Sequence, residues 1–370
     1  MNRSGLTKTI RFLIPVLSII ILLQTNTSFA AKESEPTDNQ HKEEDFNAGL
    51  MILDHIVDHY NWHIATIDGK HISIPLPVIL YKDGQWDIFM SSKFHHGHAA
   101  YKGYEVAHEG PNKGKIVYET QKNGETVYER PLDLSITKNV ASLIAAAIIA
   151  MLIFISIANR YKKRTYKAPK GLQSLIEPLI LFIRDEVAIA AIGKEKYHKF
   201  MPYLLTLFFF IFLMNLMGLI PIPPGGANLT GNLAITGVMA AFTLVITLTS
   251  ANKNYWKHTF NTPGIPVLLK LPIPIIPVIE LVGIFTKPFV LMVRLFANIT
   301  AGHIVLLSFV SIIFIFTKNI APVAGLAVSP VSLLFGVFIS LLELLVAFIQ
   351  AYVFVLLSAL YFGMAIEEEH

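Results

Sequence analysis

Apolar and polar positions divide the chain into a short apolar leader, a polar region of mixed pattern, and a long stretch of uncharged apolar runs. Residues 200–252 contain neither a charge nor a histidine. A soluble core helix has no need of such a run, whereas two membrane spans joined by a turn do. The pattern predicts spans over 140–158, 201–220 and 229–250, the last two joined by a turn holding Pro221, Pro223, Pro224, Gly225 and Gly226. Residues 172–192 mix apolar positions with Glu177, Arg184, Asp185 and Glu186, which predicts an amphipathic helix lying in the membrane interface. Two further apolar runs, 278–317 and 326–366, would each be roughly 60 Å long as helices, about twice the hydrocarbon thickness. No cluster of turn residues divides either run, and Pro288 alone is tolerable as a kink. Each is read as one long tilted helix, the two forming a hairpin at 318–325; two ordinary spans per run is the alternative.

The N-terminal third is patterned differently. Arg3, Lys8 and Arg11 precede an apolar run over 12–23, and Ser28-Phe29-Ala30 places small residues at −3 and −1. This predicts a secretory signal cleaved after Ala30, since twelve apolar residues are too few for an uncleaved span. Residues 31–45 read as a polar linker. Residues 46–63 predict a helix with Leu50, Leu53, Ile56, Val57 and Tyr60 on one face. Short strands follow, punctuated by Asp68-Gly69, Asp83-Gly84 and Asn123-Gly124, the last a strong hairpin signal. The expected fold is therefore an all-α polytopic membrane protein of about five membrane helices plus one in-plane helix, with a small exported α+β region. Its expected parts are a signal at 1–30, an exported region at 31–132 and a membrane domain at 133–370.

Composition sharpens this. The chain of 370 residues is 53 % hydrophobic and only 15 % charged, against about 25 % charged in soluble domains. The absence of cysteine excludes disulfide scaffolds, thiolate metal sites and cysteine nucleophiles. The net charge of +4 reflects loop bias, because no basic cluster sits beside exposed aromatics, and no nucleic-acid partner is expected. The loops at 159–199 and 251–270 carry ten and three Lys/Arg, and those at 221–228 and 318–330 carry none and one. The basic loops are therefore expected in the cytoplasm, in agreement with the independent export signal.

Ionisable residues at membrane depth are costly and are functional suspects. Glu280, Lys287 and Arg294 lie seven apart and share one helix stripe; His303 follows on the same run. On the last run Ser332, Gly336, Ser340, Glu343, Ala347 and Gln350 make a small and polar stripe that lets another helix come close. Arg294 cannot release its proton and so acts as a fixed cation, whereas Glu and His can relay protons. Fixed cation plus titratable neighbours suits proton transfer to a partner carboxylate better than bond-making chemistry. Lys287 also reads as a snorkelling residue or a partner of Glu280. Asn298 and Gln350 also read as helix–helix contacts, and Thr236, Thr243 and Thr247 as packing residues with back-bonded hydroxyls. His55, His59 and His63, and the cluster His95, His96 and His98, read as solvated surface; no metal site and no cofactor is expected.

The segment VRLFANITAGH, Val293 to His303, resembles the signature of subunit a of F-type rotary ATP synthases. FLMNLMGLIPIP from Phe212, residues 228–233, IELVGIFTKPFVLMVRLF from Ile279, LLVAFIQAYVFVLL from Leu344 and the tail MAIEEEH extend the likeness over about 133–370. The resemblance implies a non-catalytic stator that conducts protons through two half-channels to and from the carboxylates of a rotating c-ring. The bilayer and the peripheral-stalk b subunits would be its other partners. It implies that Arg294 faces the ring carboxylate, that Asn298, His303, Glu343 and Gln350 line the outer half-channel, and that Glu280 lies near the cytoplasmic one. The best-known bacterial members carry Glu at the position of His303 and His at that of Glu343; the exchange suggests that the two meet across the hairpin. Nine residues nevertheless put His303 about 180° around a straight helix from Arg294. Sodium in place of the proton stays open, because the ring's own site largely selects the ion. A secondary transporter would predict inverted repeats, and none is present. A histidine-dependent membrane metalloenzyme would predict clustered ligands at membrane depth, where only His303 lies.

Overall fold

The computed structural model describes residues 57–67, 70–97, 99–122, 125–163, 168–220, 223–260 and 275–367, together with Gly49 and Ile52. The expected signal, the linker and most of the helix predicted over 46–63 lie outside these residues. That helix does not reach its predicted end. Asn61–Ile67 is a strand, β1, paired antiparallel with β2, Lys70–Pro75. The period-2 sequence NWHIATI suits a hairpin better than a helix face. His63 therefore stands in a strand, and the helical spacing expected of His55, His59 and His63 does not arise.

Two three-stranded antiparallel sheets follow. In the first, β3 (Pro77–Lys82) lies between β4 (Gln85–Met90) and β8 (Leu132–Asp133). In the second, β6 (Ile116–Lys122) lies between β5 (Tyr104–Val106) and β7 (Glu125–Glu129). The turn between β3 and β4 is Asp83-Gly84, both at positive φ, as a two-residue hairpin requires. The small core gathers Tyr60, Val78, Leu80, Phe94, Tyr104 and Ile116. Asp58 Oδ1 accepts from the Asn139 backbone N–H at 3.0 Å, and Lys138 N–H donates to His59 O at 2.9 Å. The segment before β1 thus satisfies free N–H groups in the first turn of the first long helix. Burial pushes the Asp58 carboxyl up, and the bond from Asn139 opposes that shift.

Among the described residues five helices are long and apolar enough to cross a membrane. They are α1 (Lys138–Lys163), α3 (Tyr197–Leu219), α4 (Leu233–Ser250), α6 (Ile275–Asn319) and α7 (Pro322–Ile366). Two shorter helices join them: α2 (Leu172–Phe182) and α5 (Lys253–Phe260). α2 runs on through a π-helical segment, Ile183–Ile189, and Ala190–Ile192. Its apolar face is fully buried at Ile183, Val187 and Ala188. It approaches α7 where Gly363 meets the Ala191 carbonyl, too closely for any β-carbon.

Of the boundaries that differ from the sequence pattern, two have a local cause. α4 begins at Leu233 instead of residue 229. Asn228 Oδ1 accepts from Gly231 N–H at 2.9 Å and Asn232 Oδ1 caps Ala234 N–H, so local side-chain bonds hold 228–232 as a turn. The α6–α7 hairpin is also tighter than 318–325, because Pro322 is preorganised as a first helical residue. In α4, the Thr243 and Thr247 hydroxyls donate to the carbonyls of Met239 at 3.2 Å and Thr243 at 2.7 Å. Thr243 also bonds across helices, to Tyr203 Oη at 3.0 Å and Ser358 Oγ at 3.4 Å.

Contacts group the helix ends into two sets. Ser142 Oγ on α1 donates to Pro224 O at 2.9 Å, which puts the α3–α4 turn beside the start of α1. At the other end Asn252 N–H donates to Ala365 O at 2.9 Å, and Lys196 Nζ to Ile366 O at 3.4 Å.

Candidate functional site

α6 presents two faces. Ile284, Leu291, Leu295 and Ile299 form its buried stripe. His303 continues that stripe one turn on, which explains why it turns inward while Arg294 does not. Arg294 and Asn298, one turn apart, are exposed on the flank, and Lys287 and Glu280 are partly buried. Arg294 is the twentieth residue of α6, so it stands about 29 Å from the helix start. Among the described residues no hydrogen bond or ion pair reaches its guanidinium.

On α7 the small and polar stripe is turned into the protein. Ser332, Gly336, Glu343, Ala347 and Gln350 are all buried, and Ser340 partly so. This stripe meets α6. Ser332 Oγ donates to Phe309 O, and the rings of Phe309 and Phe335 stack at 5.4 Å.

The structure brings His303 and Glu343 together: His303 Nδ1 pairs with Glu343 Oε1 across the hairpin. Two glycines make the space. A β-carbon at Gly302 would lie 3.1 Å from Glu343 Oε1, and one at Gly218 of α3 would lie 3.5 Å from His303 Nε2. The imidazole is thus held between α3 and the carboxylate of α7. Glu343 Oε2 is buried without a hydrogen-bond partner among the described residues. Asn298 and Gln350 make no hydrogen bond to this pair among the described residues.

A polar group beside the pair is not among the residues singled out from the sequence for this role. Asn215 of α3 is buried; its Nδ2 donates to Ala347 O at 3.3 Å and its Oδ1 accepts from Thr230 Oγ1 at 2.6 Å. Asn228, two residues before Thr230, is also buried, its Nδ2 without a partner among the described residues. Asn215 was detectable as a lone amide in an apolar span. Thr230 was not, because nothing in its neighbours distinguishes it from a turn residue.

Glu280 and Lys287 belong to a separate place, toward the start of α6. Lys287 Nζ lies 5.8 Å from the centre of the Tyr361 ring. Tyr255 of α5 faces the same region; burial pushes its phenol up and the Glu280 carboxylate adds to the rise. Lys287 is therefore beside an aromatic ring, and no ion pair joins it to Glu280 among the described residues.

Comparison with known proteins places this arrangement. The family model described as ATP synthase A chain matches residues 140–363, and a domain family of unknown function, DUF8433, matches residues 51–135. ATP synthase subunit a of Chloroherpeton thalassium is 46 % identical over 242 residues, covering 64 % of this chain and 68 % of that protein. The protein of the same name from Chlorobium phaeobacteroides is 43 % identical over 289 residues, 74 % of this chain and 80 % of its own length. That from Myxococcus xanthus is 43 % identical over 246 residues, covering 65 % and 75 %. With a family match over more than half its length, and five apolar helices under that match, the chain is a multi-pass membrane protein and belongs to the ATP synthase A chain family.

Proposed function

We propose that the chain is the non-catalytic stator subunit through which protons pass to and from a rotating ring of carboxylate-bearing subunits, coupling proton flow to ATP synthesis. The observation that carries this reading is Arg294. A guanidinium half-way along an apolar 45-residue helix, with no anion among the described residues, calls for an anion from another molecule. A ring carboxylate passing the exposed flank of α6 supplies one. The fixed charge keeps that carboxylate ionised as it passes, so the proton leaves on one side and is regained on the other.

The outer half-channel is assigned to His303, Glu343, Gln350 and Asn298, with Asn215, Thr230 and Asn228 as further polar lining. Unpartnered buried atoms on Glu343 and Asn228 favour a wetted path, since buried polar groups are ordinarily satisfied. Glu280 and Lys287 are assigned to the cytoplasmic half-channel. The first thirty residues act as an export signal, the region 31–132 lies outside the inner membrane, and the C-terminus is cytoplasmic. Peripheral-stalk b subunits hold the stator against the ring. The contacts grouping the α3–α4 turn with the start of α1, and Ala365 with Asn252, support this sidedness, as does the distribution of basic loops.

The test is Arg294→Ala or Arg294→Gln in the assembled synthase. Proton-driven ATP synthesis in inverted vesicles should vanish while assembly persists, and Arg294→Lys should rescue poorly, lacking the planar fork. Synthesis at half the normal rate in Arg294→Ala would refute the assignment.

A further inference from the structure

At the C-terminal ends of α4 and α7 a cleft opens between α4, α5, α6 and α7; Thr247, Tyr255, Ile284, Lys287, Pro288 and Tyr361 help to line it. It leads from α5 toward the charged stripe of α6. Lys287 Nζ sits over the Tyr361 ring, and Tyr255 lines the same cleft from α5. The two tyrosines therefore flank Lys287, the middle member of the charged stripe Glu280, Lys287 and Arg294.

One asparagine organises both walls. Asn252 Oδ1 accepts from Tyr255 N–H at 2.9 Å, which starts α5 and sets the direction of its first turn. The backbone N–H of Asn252 donates to Ala365 O at 2.9 Å, and its side-chain Nδ2 donates to Glu367 O at 2.5 Å. Ala365 lies one helical turn beyond Tyr361 on α7. Asn252 thus ties the tyrosine of α5 to the end of the helix bearing the tyrosine opposite.

Resting on the stator reading above, we propose that Tyr255 and Tyr361 are the two walls of the cytoplasmic proton entrance. Asn252 is the positioning residue that holds them in place. A half-buried phenol offers a polar surface to water and protons while its ring excludes bulk solvent from the lysine and arginine behind it. Tyr255 is provided by a short helix outside the spans, so the entrance depends on how α5 is pinned.

The chain contains no cysteine, so a single introduced thiol is unique within it. Tyr255→Cys is made in the whole synthase, and inverted vesicles stripped of the catalytic head are treated with an impermeant methanethiosulfonate. Passive proton permeability should fall about tenfold on modification, equivalent to roughly 1.4 kcal/mol on the barrier, and should return on reduction. Lys257→Cys, on the same helix and exposed, should be modified without loss. Asn252→Ala should lower permeability roughly two- to ten-fold, the range of one ordinary hydrogen bond. Asn252→Asp, which keeps the acceptor for Tyr255 N–H, should restore most of it. Because modified and unmodified samples come from one preparation, a folding defect is not mistaken for block; should Tyr255→Cys fail to assemble, the Asn252 pair decides. Unchanged permeability after full modification of Tyr255→Cys, or equal permeability in Asn252→Ala, Asn252→Asp and wild type, would overturn the proposal. Arg294→Ala, assayed for ATP-driven pumping with the head in place, separates the two readings. If it still pumps, the stator reading itself fails; if it does not and modified Tyr255→Cys conducts freely, only the entrance is wrong.

Discussion

The contact between His303 and Glu343 makes a quantitative prediction. The imidazole side chain is 15 % exposed and the carboxylate 3 %. Opposite charges at ordinary hydrogen-bond length attract by about 5 kcal/mol at an effective dielectric of roughly 20. Desolvation of both groups takes back a large share of that. A net coupling of about 1–3 kcal/mol remains, a factor of roughly 5–150. Removing either partner alone isolates one ionisable group, and His303→Ala strips from Glu343 Oε1 its imidazole, while Oε2 has no partner among the described residues. The assay is passive proton permeability of head-stripped vesicles for His303→Ala, Glu343→Ala and the double variant, with antibody quantification of the assembled membrane sector. The two losses should be strongly non-additive. The exchange His303→Glu with Glu343→His keeps one carboxylate and one imidazole at the contact and should recover more than either single change. Single effects that add to within about 0.5 kcal/mol would show that the pair is not energetically joined, and the outer half-channel assignment of Glu343 would fall with it.

Other outcomes follow from specific contacts. Gly302→Ala puts a methyl 3.1 Å from Glu343 Oε1 and should displace the carboxylate, lowering permeability, whereas Gly218→Ala meets His303 Nε2 and Ala227 O at an ordinary 3.5 Å and should conduct nearly normally. Burial raises the Asp58 carboxyl above its usual 3.8, so its stabilising contribution is complete below that value and is lost as pH rises through the folded value. Tryptophan-fluorescence melting of the complex, which reports on buried Trp62, should therefore fall as pH is raised above 3.8, and Asp58→Asn should flatten that dependence. A thiol introduced at exposed Asn319 should react with impermeant reagent from outside intact cells, while those at Lys163 and Asn254 should not; reaction at Lys163 would reverse the topology.

Much of this was legible in the linear order of residues, and the limits have physical causes. A membrane leaves a chain few choices: uncharged runs become helices, and basic loops stay on one side. The five spans and the two 45-residue helices could therefore be anticipated from apolar run lengths and the absence of turn residues. The α7 stripe was equally readable, because a seven-residue spacing of small and polar side chains keeps one helix face. Helix ends were less so. At 228–232 the chain stays uncharged, but Asn228 and Asn232 hold the backbone in a turn through bonds that charge patterning does not register. Over 61–63 the end of the predicted helix gave way to strand β1 because hairpin pairing with β2 satisfies its backbone. What only the tertiary structure decided is which polar groups meet. The family resemblance suggested that His303 and Glu343, 40 residues apart, meet across the hairpin, but the register and the space left by Gly302 and Gly218 that allow the contact came only from packing. Asn215 reaches Ala347 across 132 residues of chain, and Asn252 pins Ala365 from the turn between α4 and α5. Periodicity reports the face on which a side chain lies; only packing determines what stands opposite.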